Sequence, residues 1–241
     1  MHENVFQRVE KKYMLDSVTY RTLMLRIGDR LIPDAYGRYT VGNLYFDTPD
    51  WLLARRSIEQ PPFKEKLRLR GYGIPAPGDR VFLELKRKVD GVVYKRRESM
   101  TLSQAEQYLK TGRHFGGGQI WNELDYFMRL YRPAPGVYLA YDRRAFTGRE
   151  EPTFRITFDT GVRSRTDKLR LGAGDWGAPL LKDGDCLMEI KAAGAMPLWL
   201  AHALGDLCIY PESFSKYGCV YKASIANRKA NIQERRTIVC V

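Results

Sequence analysis

Residues 64–70 read Lys-Glu-Lys-Leu-Arg-Leu-Arg, and the alternation in this stretch decides the fold. Successive side chains of a β-strand point to opposite faces, so Lys66, Arg68 and Arg70 share one face and Leu67 and Leu69 the other. The same division recurs along the chain. In VFLELKRK (81–88), Glu84, Lys86 and Lys88 oppose Leu83 and Leu85. In VVYKRRES (92–99), Lys95 and Arg97 lie opposite Tyr94 and Arg96. The first strand-like run puts Arg8, Glu10 and Lys12 together, and VYLAYDRRAF (137–146) does the same for Tyr141 and Arg143. In FRITFD (154–159), Arg155, Thr157 and Asp159 oppose three apolar residues. In CLMEIKA (186–192), Glu189 and Lys191 oppose Met188 and Ile190.

Strand-like runs fall near Val5–Met14, Tyr39–Asp47, Lys64–Tyr72, Arg80–Val89, Val92–Leu102, Val137–Thr147, Pro152–Asp159 and Cys186–Ala192. Short Gly/Pro turns at 71–78, 112–118 and 133–136 join elements without marking a domain joint. Short connections favour antiparallel pairing. Helical patterns are interleaved. One follows Asp16-Ser17 with Val18, Leu23 and Leu25, another follows Thr48-Pro49, and a third opens at Ser103 with Glu106 as a capping box. Others cover about Ile120–Tyr131, Met196–Ile209 and Ser215–Asn231. The reading is one α+β domain over residues 1–241, built on a dominant antiparallel sheet.

Composition sets bounds on function. The chain has 241 residues, 44% of them hydrophobic, with 40 Lys+Arg against 28 Asp+Glu and a net charge of +12. So basic a protein points to a polyanionic partner, without choosing which. The four cysteines are widely spaced and none stands beside a histidine, so a zinc site is disfavoured and reduced thiols in a cytoplasmic protein are expected. The amino-terminus carries no secretory pattern, and the longest apolar stretch, from Met196, is too short for a membrane span. No P-loop, G-x-S-x-G or H-E-x-x-H occurs, and His202 reads as a packing residue.

The charged faces fit two arrangements. They can be the solvated side of an ordinary antiparallel sheet. However, like charges stacked across strands are destabilising unless an anion lies among them, and the amphipathic helices need an apolar surface to cover. With helices over the Leu/Phe/Ile faces of a closed barrel, the Arg/Lys/Glu face becomes a water-filled lumen for a polyanion. Arginine grips phosphate oxygens bidentately and lysine as a point charge. Carboxylates among them (Glu10, Glu84 and Glu189) make sense as ligands of Mg2+ or Mn2+, or as salt-bridge partners of the neighbouring cations. Phosphoryl transfer needs mainly positioning and electrostatic stabilisation, so such a set suffices without a dedicated nucleophile.

Arg8-x-Glu10-x-Lys12 resembles the first-strand motif of the triphosphate tunnel metalloenzymes, the CYTH superfamily. The fuller resemblance is to the VTC domain, the catalytic domain of the vacuolar transporter chaperone polyphosphate polymerase. It rests on RVEKKY (8–13), LYFDT (44–48), KLRLR (66–70), LELKRK (83–88), YDRRAF (141–146), FRITFD (154–159), MEIK (188–191) and SFSKY (213–217). The resemblance implies an eight-stranded antiparallel tunnel barrel with flanking helices and a carboxy-terminal helix plugging one end. It implies that Lys12, Arg68, Arg70, Lys86, Arg143 and Arg155 bind substrate phosphates, with Ser215 and Lys216 at the start of that helix. Of these, Lys12, Arg68, Arg70, Arg143, Arg155 and Lys216 are expected at the reacting phosphates. Substrate binding is expected from Lys86 and Ser215, and from Arg8, Lys95, Arg97 and Lys191, which share the strand faces. Lys95 best fits the family's lysine on the strand after LELKRK, with Arg96 and Arg97 as alternatives. Glu189 is the implied main metal ligand, with Glu10 second. The implied reaction moves the γ-phosphate of ATP onto a growing polyphosphate chain. The chain's brevity suggests a stand-alone prokaryotic-type member at the inner face of the membrane, beside a separate membrane protein.

Three other readings compete. The same barrel could transfer the phosphate to water as a triphosphatase, or bind polyphosphate or inositol phosphate as a non-catalytic sensor. A nucleic-acid-binding protein would need exposed aromatics among the basic residues, whereas Tyr and Phe here fall mostly at core-like positions, so nucleic acid is not an expected partner.

Overall fold

The apolar faces read from the alternation are the ones that the helices cover. A computed structural model describes residues 9–90 and 92–223. Its strands are β1 (Val9–Leu15), β2 (Leu31–Asp47), β3 (Phe63–Tyr72), β4 (Arg80–Val89), β5 (Val92–Thr101), β6 (Ala134–Gly148), β7 (Arg155–Arg165), β8 (Ala178–Pro179) and β9 (Cys186–Ala192). The helices are α1 (Ser17–Ile27), α2 (Leu52–Glu59), α3 (Leu102–Thr111), α4 (Gln119–Tyr131), α5 (Leu198–Asp206) and α6 (216–223). The expected last helix is thus described only as far as 223, and its continuation to Asn231 lies outside the described residues.

All strand pairs are antiparallel, in the order β1-β9-β7-β6-β2-β3-β4-β5, with β8 added beside β7. The sheet therefore has nine strands where eight were expected. The extra one is an Ala-Pro pair, too short to show alternation, and its proline cannot donate to a ladder and so sits at an edge. Nor is the sheet a hydrogen-bonded barrel: among the described residues no ladder joins β1 to β5. It curls nonetheless, since Glu10 and Lys12 of β1 line the same cavity as Lys95 of β5.

Two helical layers cover the outer face. Leu67, Leu69, Leu83 and Leu85 pack with Leu102, Ala105 and Tyr108 of α3 and Trp121, Leu124 and Phe127 of α4. On the other side, Tyr13, Ile156, Phe158, Met188 and Ile190 pack with Leu23 and Ile27 of α1 and Leu200 and Leu204 of α5. Each fully buried aliphatic or aromatic side chain contributes about 1.5–3 kcal/mol, so these layers fix which sheet face is left for the charges.

Local signals position the helices, with some differences from expectation. Asp16 caps α1, accepting from the amides of Val18 and Thr19 at 2.9 and 2.7 Å. The buried stripe of α1 is Leu23 and Ile27, while Val18 and Leu25 are exposed. The capping box of α3 is Thr101 with Gln104, not Ser103 with Glu106, because β5 runs directly into the helix. Asp47 ends β2 and accepts from the amides of Leu53 and Ala54 at 2.9 Å each, anchoring α2. His202 is exposed on α5 and not packed. No described helix is long and apolar enough to cross a membrane.

Candidate functional site: a cation-lined tunnel

The inner face of the curled sheet converges on a cavity of about 190 Å³. β3 supplies Lys66, Arg68 and Arg70; β4 supplies Glu84 and Lys86; β5 supplies Lys95. From the opposite wall come Glu10 and Lys12 of β1, Glu189 and Lys191 of β9, and Arg143 of β6. Ser215, Lys216 and Tyr217 close one side, against Tyr45 and Tyr141. Most of the residues singled out in the sequence therefore meet in one place, because alternation sends them all inward.

Some do not. Arg155 lies at the end of β7, opposite Lys191 in register, with its side chain 49% exposed and Asp34 at 3.7 Å. It shares the inward face with Thr157 and Asp159, but the strand begins there, which leaves it at the rim and outside the cavity lining. Arg97 is also outside the lining and pairs with Glu84 from beside it. Arg96 points outward to Glu123 of α4, so of the three candidates on β5 it is Lys95 that lines the cavity. Arg8 lies outside the described residues.

Two buried carboxylates are consumed as counterions. Glu84, 1% exposed, accepts from Arg68 (2.7 and 2.9 Å) and Arg97 (2.9 Å), with Lys95 at 2.7 Å and Arg70 at 3.9 Å. Burial alone would raise its pKa, yet Arg68, Arg70 and Lys95 hold its carboxyl well below the usual carboxylate range. With both oxygens engaged by cations, Glu84 does not fit a metal ligand, contrary to the sequence expectation. Asp159, fully buried, accepts from Arg143 at 2.6 and 2.8 Å and from Lys216 at 2.7 Å. Alternation places it inward in FRITFD, but nothing within that motif marks it as the counterion of Arg143 and Lys216.

Glu189 and Glu10 differ. The nearest cations to Glu189 are Lys216 at 3.4 Å and Arg143 at 3.7 Å. For Glu10 they are Lys12 at 3.7 Å and Lys191 at 3.8 Å. Desolvation opposes ionisation of both, but Lys216, Arg143 and Lys12 keep Glu189 ionised, and Lys86 and Lys191 do so for Glu10. They form a checkerboard, Glu10 paired with Lys191 and Lys12 with Glu189. No group of three or more metal-ligating side chains occurs among the described residues. Two adjacent, ionised, loosely engaged carboxylates fit Mg2+ or Mn2+, which take one or two carboxylates and complete their shell with water and phosphate oxygens.

The closing segment is pinned from several sides. Lys12 donates to the carbonyl of Phe214 at 3.0 Å, and Glu212 N–H donates to the carbonyl of Lys12 at 2.8 Å. Ser215 Oγ accepts from the amide of Gly218 at 3.1 Å and so caps α6. Tyr217 donates to Asp47 and stacks on Tyr45 with ring centroids 4.7 Å apart. LYFDT and SFSKY thus form one latch that aims Lys216 at Asp159 and Glu189.

The cations left over are the most informative. Among the described residues, Lys66 has no carboxylate partner and makes a 3.4 Å contact to Ser215 Oγ. Burial, with Lys12 and Lys86 beside it, lowers its pKa to about 7. Lys95 is lowered to about 8, mainly by burial, in spite of Glu84. Lys66 is therefore largely neutral at pH 8 in the free protein, and a bound anion would restore its proton. Binding of a polyanion such as tripolyphosphate is expected to take up protons at pH 8, toward one per site from Lys66 with a further part from Lys95. Uptake falls away below pH 6, and affinity weakens as pH rises above 7. Calorimetry in buffers of different ionisation enthalpy checks this, and a binding enthalpy independent of buffer at pH 8 would contradict it.

The profile of the VTC domain matches residues 7–225 of this chain. No curated protein sequence matches it. Among solved structures, a proposed adenylate cyclase of Bacillus halodurans superposes with a TM-score of 0.55 at 15% identity, over 86% of this chain and 93% of that one. A proposed adenylyl cyclase from Hippeastrum, described as having a dominant triphosphatase activity, superposes with a TM-score of 0.57 at 16% identity. That match covers 90% of this chain and 96% of its own. At such identities the likeness is one of fold, a curled antiparallel sheet with flanking helices.

Proposed function

This chain belongs to the VTC domain family, and from that premise we propose that it is a metal-dependent polyphosphate polymerase, transferring the γ-phosphate of ATP to a growing polyphosphate chain. One observation supports this above the others. Lys12, Lys66, Arg68, Lys86, Arg143 and Lys216 line one cavity with two carboxylates whose oxygens are only loosely engaged. A surface stripe for nucleic acid or membrane would point its cations outward, and a structural ion-pair network would leave no carboxylate short of a close partner.

In this reading Arg68, Arg70 and Arg143 clamp the triphosphate. Glu84 and Asp159 hold Arg68 and Arg143 with their forks fixed before substrate arrives, so little reorganisation is needed. Lys12 and Lys216 lie beside Glu189 and neutralise charge on the transferred group. Lys66 and Lys86, which have no carboxylate within ion-pair distance among the described residues, take the most negative end of the substrate. Glu189 and Glu10 would hold Mg2+ or Mn2+, and a divalent ion held there would supply positive charge against the substrate's phosphates.

Incubation with ATP and Mn2+ or Mg2+ tests the proposal. ADP together with chains longer than triphosphate is the expected product pattern. ADP and free phosphate without chains would instead identify a triphosphatase, the activity described for the Hippeastrum protein. Binding without turnover in either metal would leave a sensor.

A further inference from the structure

The inward face of β3 reads, in order, Lys64, Lys66, Arg68, Arg70, Tyr72. On β4 the same face runs Lys88, Lys86, Glu84, Phe82, with Lys64 beside Lys88, Lys66 beside Lys86, Arg68 beside Glu84 and Arg70 beside Phe82. The tunnel lining thus passes from lysine through arginine to aromatic. Tyr39 of β2 continues the aromatic end, facing Arg143 in register. Tyr36, Tyr39, Tyr72 and Phe82 form a chain of edge-to-face contacts, with successive centroids 6.0, 5.8 and 6.0 Å apart. Packing of this kind fixes the tilt of each ring. It leaves two of them open to solvent, Tyr36 at 80% and Tyr72 at 47% exposed, while Tyr39 and Phe82 are half-buried. Arg97 lies over Phe82 at 4.5 Å while it holds Glu84, so the aromatic run joins the phosphate cavity without a break.

Exposed aromatic rings at the cavity mouth are costly to leave in water and carry no charge with which to grip phosphate. A group with a π-face and no charge is what such a surface suits. We propose that this aromatic rim, centred on Tyr72 and Tyr39, is the nucleobase platform of the site, so that a nucleoside triphosphate enters with its base at this mouth and its phosphates directed toward the lysine end. The inference rests on the tunnel being a triphosphate site. It adds which mouth takes the nucleoside, and it separates nucleotide from inorganic triphosphate by a residue that touches no phosphate. Asp34, which accepts from the Tyr36 amide at 3.2 Å and from the Tyr39 hydroxyl at 3.4 Å, holds the two ends of this short turn together.

The test compares ATP with inorganic tripolyphosphate by calorimetry, in the full chain without metal so that neither ligand is turned over. Tyr72→Ala is expected to weaken ATP about tenfold, a typical loss of one base-stacking contact, while tripolyphosphate stays within about twofold. Tyr72→Phe keeps the ring and is expected to leave both affinities unchanged. The platform is overturned if Tyr72→Ala moves the two ligands together or moves neither. If the wild-type protein binds neither ligand, the triphosphate reading of the tunnel falls and the platform with it, a result distinct from the first two. Far-ultraviolet circular dichroism and the thermal midpoint of Tyr72→Ala confirm that the variant is folded, as the exposure of Tyr72 leads one to expect.

Discussion

Glu189→Gln is expected to lower turnover about 100-fold or more while leaving triphosphate binding within a few-fold of wild type. The side chain keeps its size in this exchange and loses only its charge. Its cation partners stand at 3.4 and 3.7 Å, too far for close ion pairs, so losing it breaks no short hydrogen bond. Lys216 and Arg143 remain fixed by Asp159, which would keep the proposed phosphate clamp in place. What disappears is a carboxylate kept ionised by its surroundings, and with it the proposed hold on a divalent ion. Binding in the absence of metal is expected to stay the same or tighten slightly, since one negative charge has left the cavity. Steady-state kinetics with Mn2+ and Mg2+, beside calorimetry without metal, separate the two effects. Turnover that survives the substitution would overturn the metal assignment. A loss of binding equal to the loss of turnover would make Glu189 part of the clamp instead.

How far this site was legible depends on which strand interactions carry it. The inward sets on β3, β4 and β5 follow from alternation within each strand, a local property. Closure does not, because β1 and β5 are the ends of the strand order and lie far apart in sequence, so nothing local records whether a ladder joins them. The carboxylates make the same point more sharply. Glu84 sits in Leu-Glu-Leu and Glu189 in Met-Glu-Ile, equivalent contexts along their own strands. Their difference comes from the neighbours across the sheet. Glu84 lies between Arg68 and Arg97, whereas Glu189 lies between Lys12 and Thr157. Strand order, not strand sequence, makes one a saturated counterion and leaves the other accessible. Asp159 was passed over for a related reason. Its partners are Arg143 on β6 and Lys216 at the head of α6, and the latter is brought inward by contacts distant in sequence, among them Tyr217 on Tyr45 and Asp47. Arg155 went the other way: alternation gave its face correctly, while its place at the strand end sets it at the rim.

The same contrast predicts that Glu84→Gln acts on stability before it acts on chemistry. The substitution leaves four cations, Arg68, Arg70, Lys95 and Arg97, around a buried neutral group, with Arg70 buried beside it and Arg68 half-buried. Removing one partner from a buried ion cluster costs about 3–5 kcal/mol, because the remaining charge is uncompensated. An amide still accepts from Arg68, so the lower end, about 3 kcal/mol, is expected here. For a chain of this length that is a fall of roughly 6–12 °C in the thermal midpoint. A bound polyanion supplies the missing charge, so saturating tripolyphosphate is expected to raise the midpoint of Glu84→Gln by more than it raises that of wild type. Differential scanning fluorimetry across a tripolyphosphate titration, without metal, checks both parts. Equal ligand shifts in the two proteins would refute the counterion role. A variant of wild-type stability that had lost metal-dependent turnover would return Glu84 to the metal-ligand role open to the carboxylates of the charged strand faces. The cations around Glu84 argue for the opposite result: a folded, ligand-dependent protein in which the substrate stands in for a residue of its own wall.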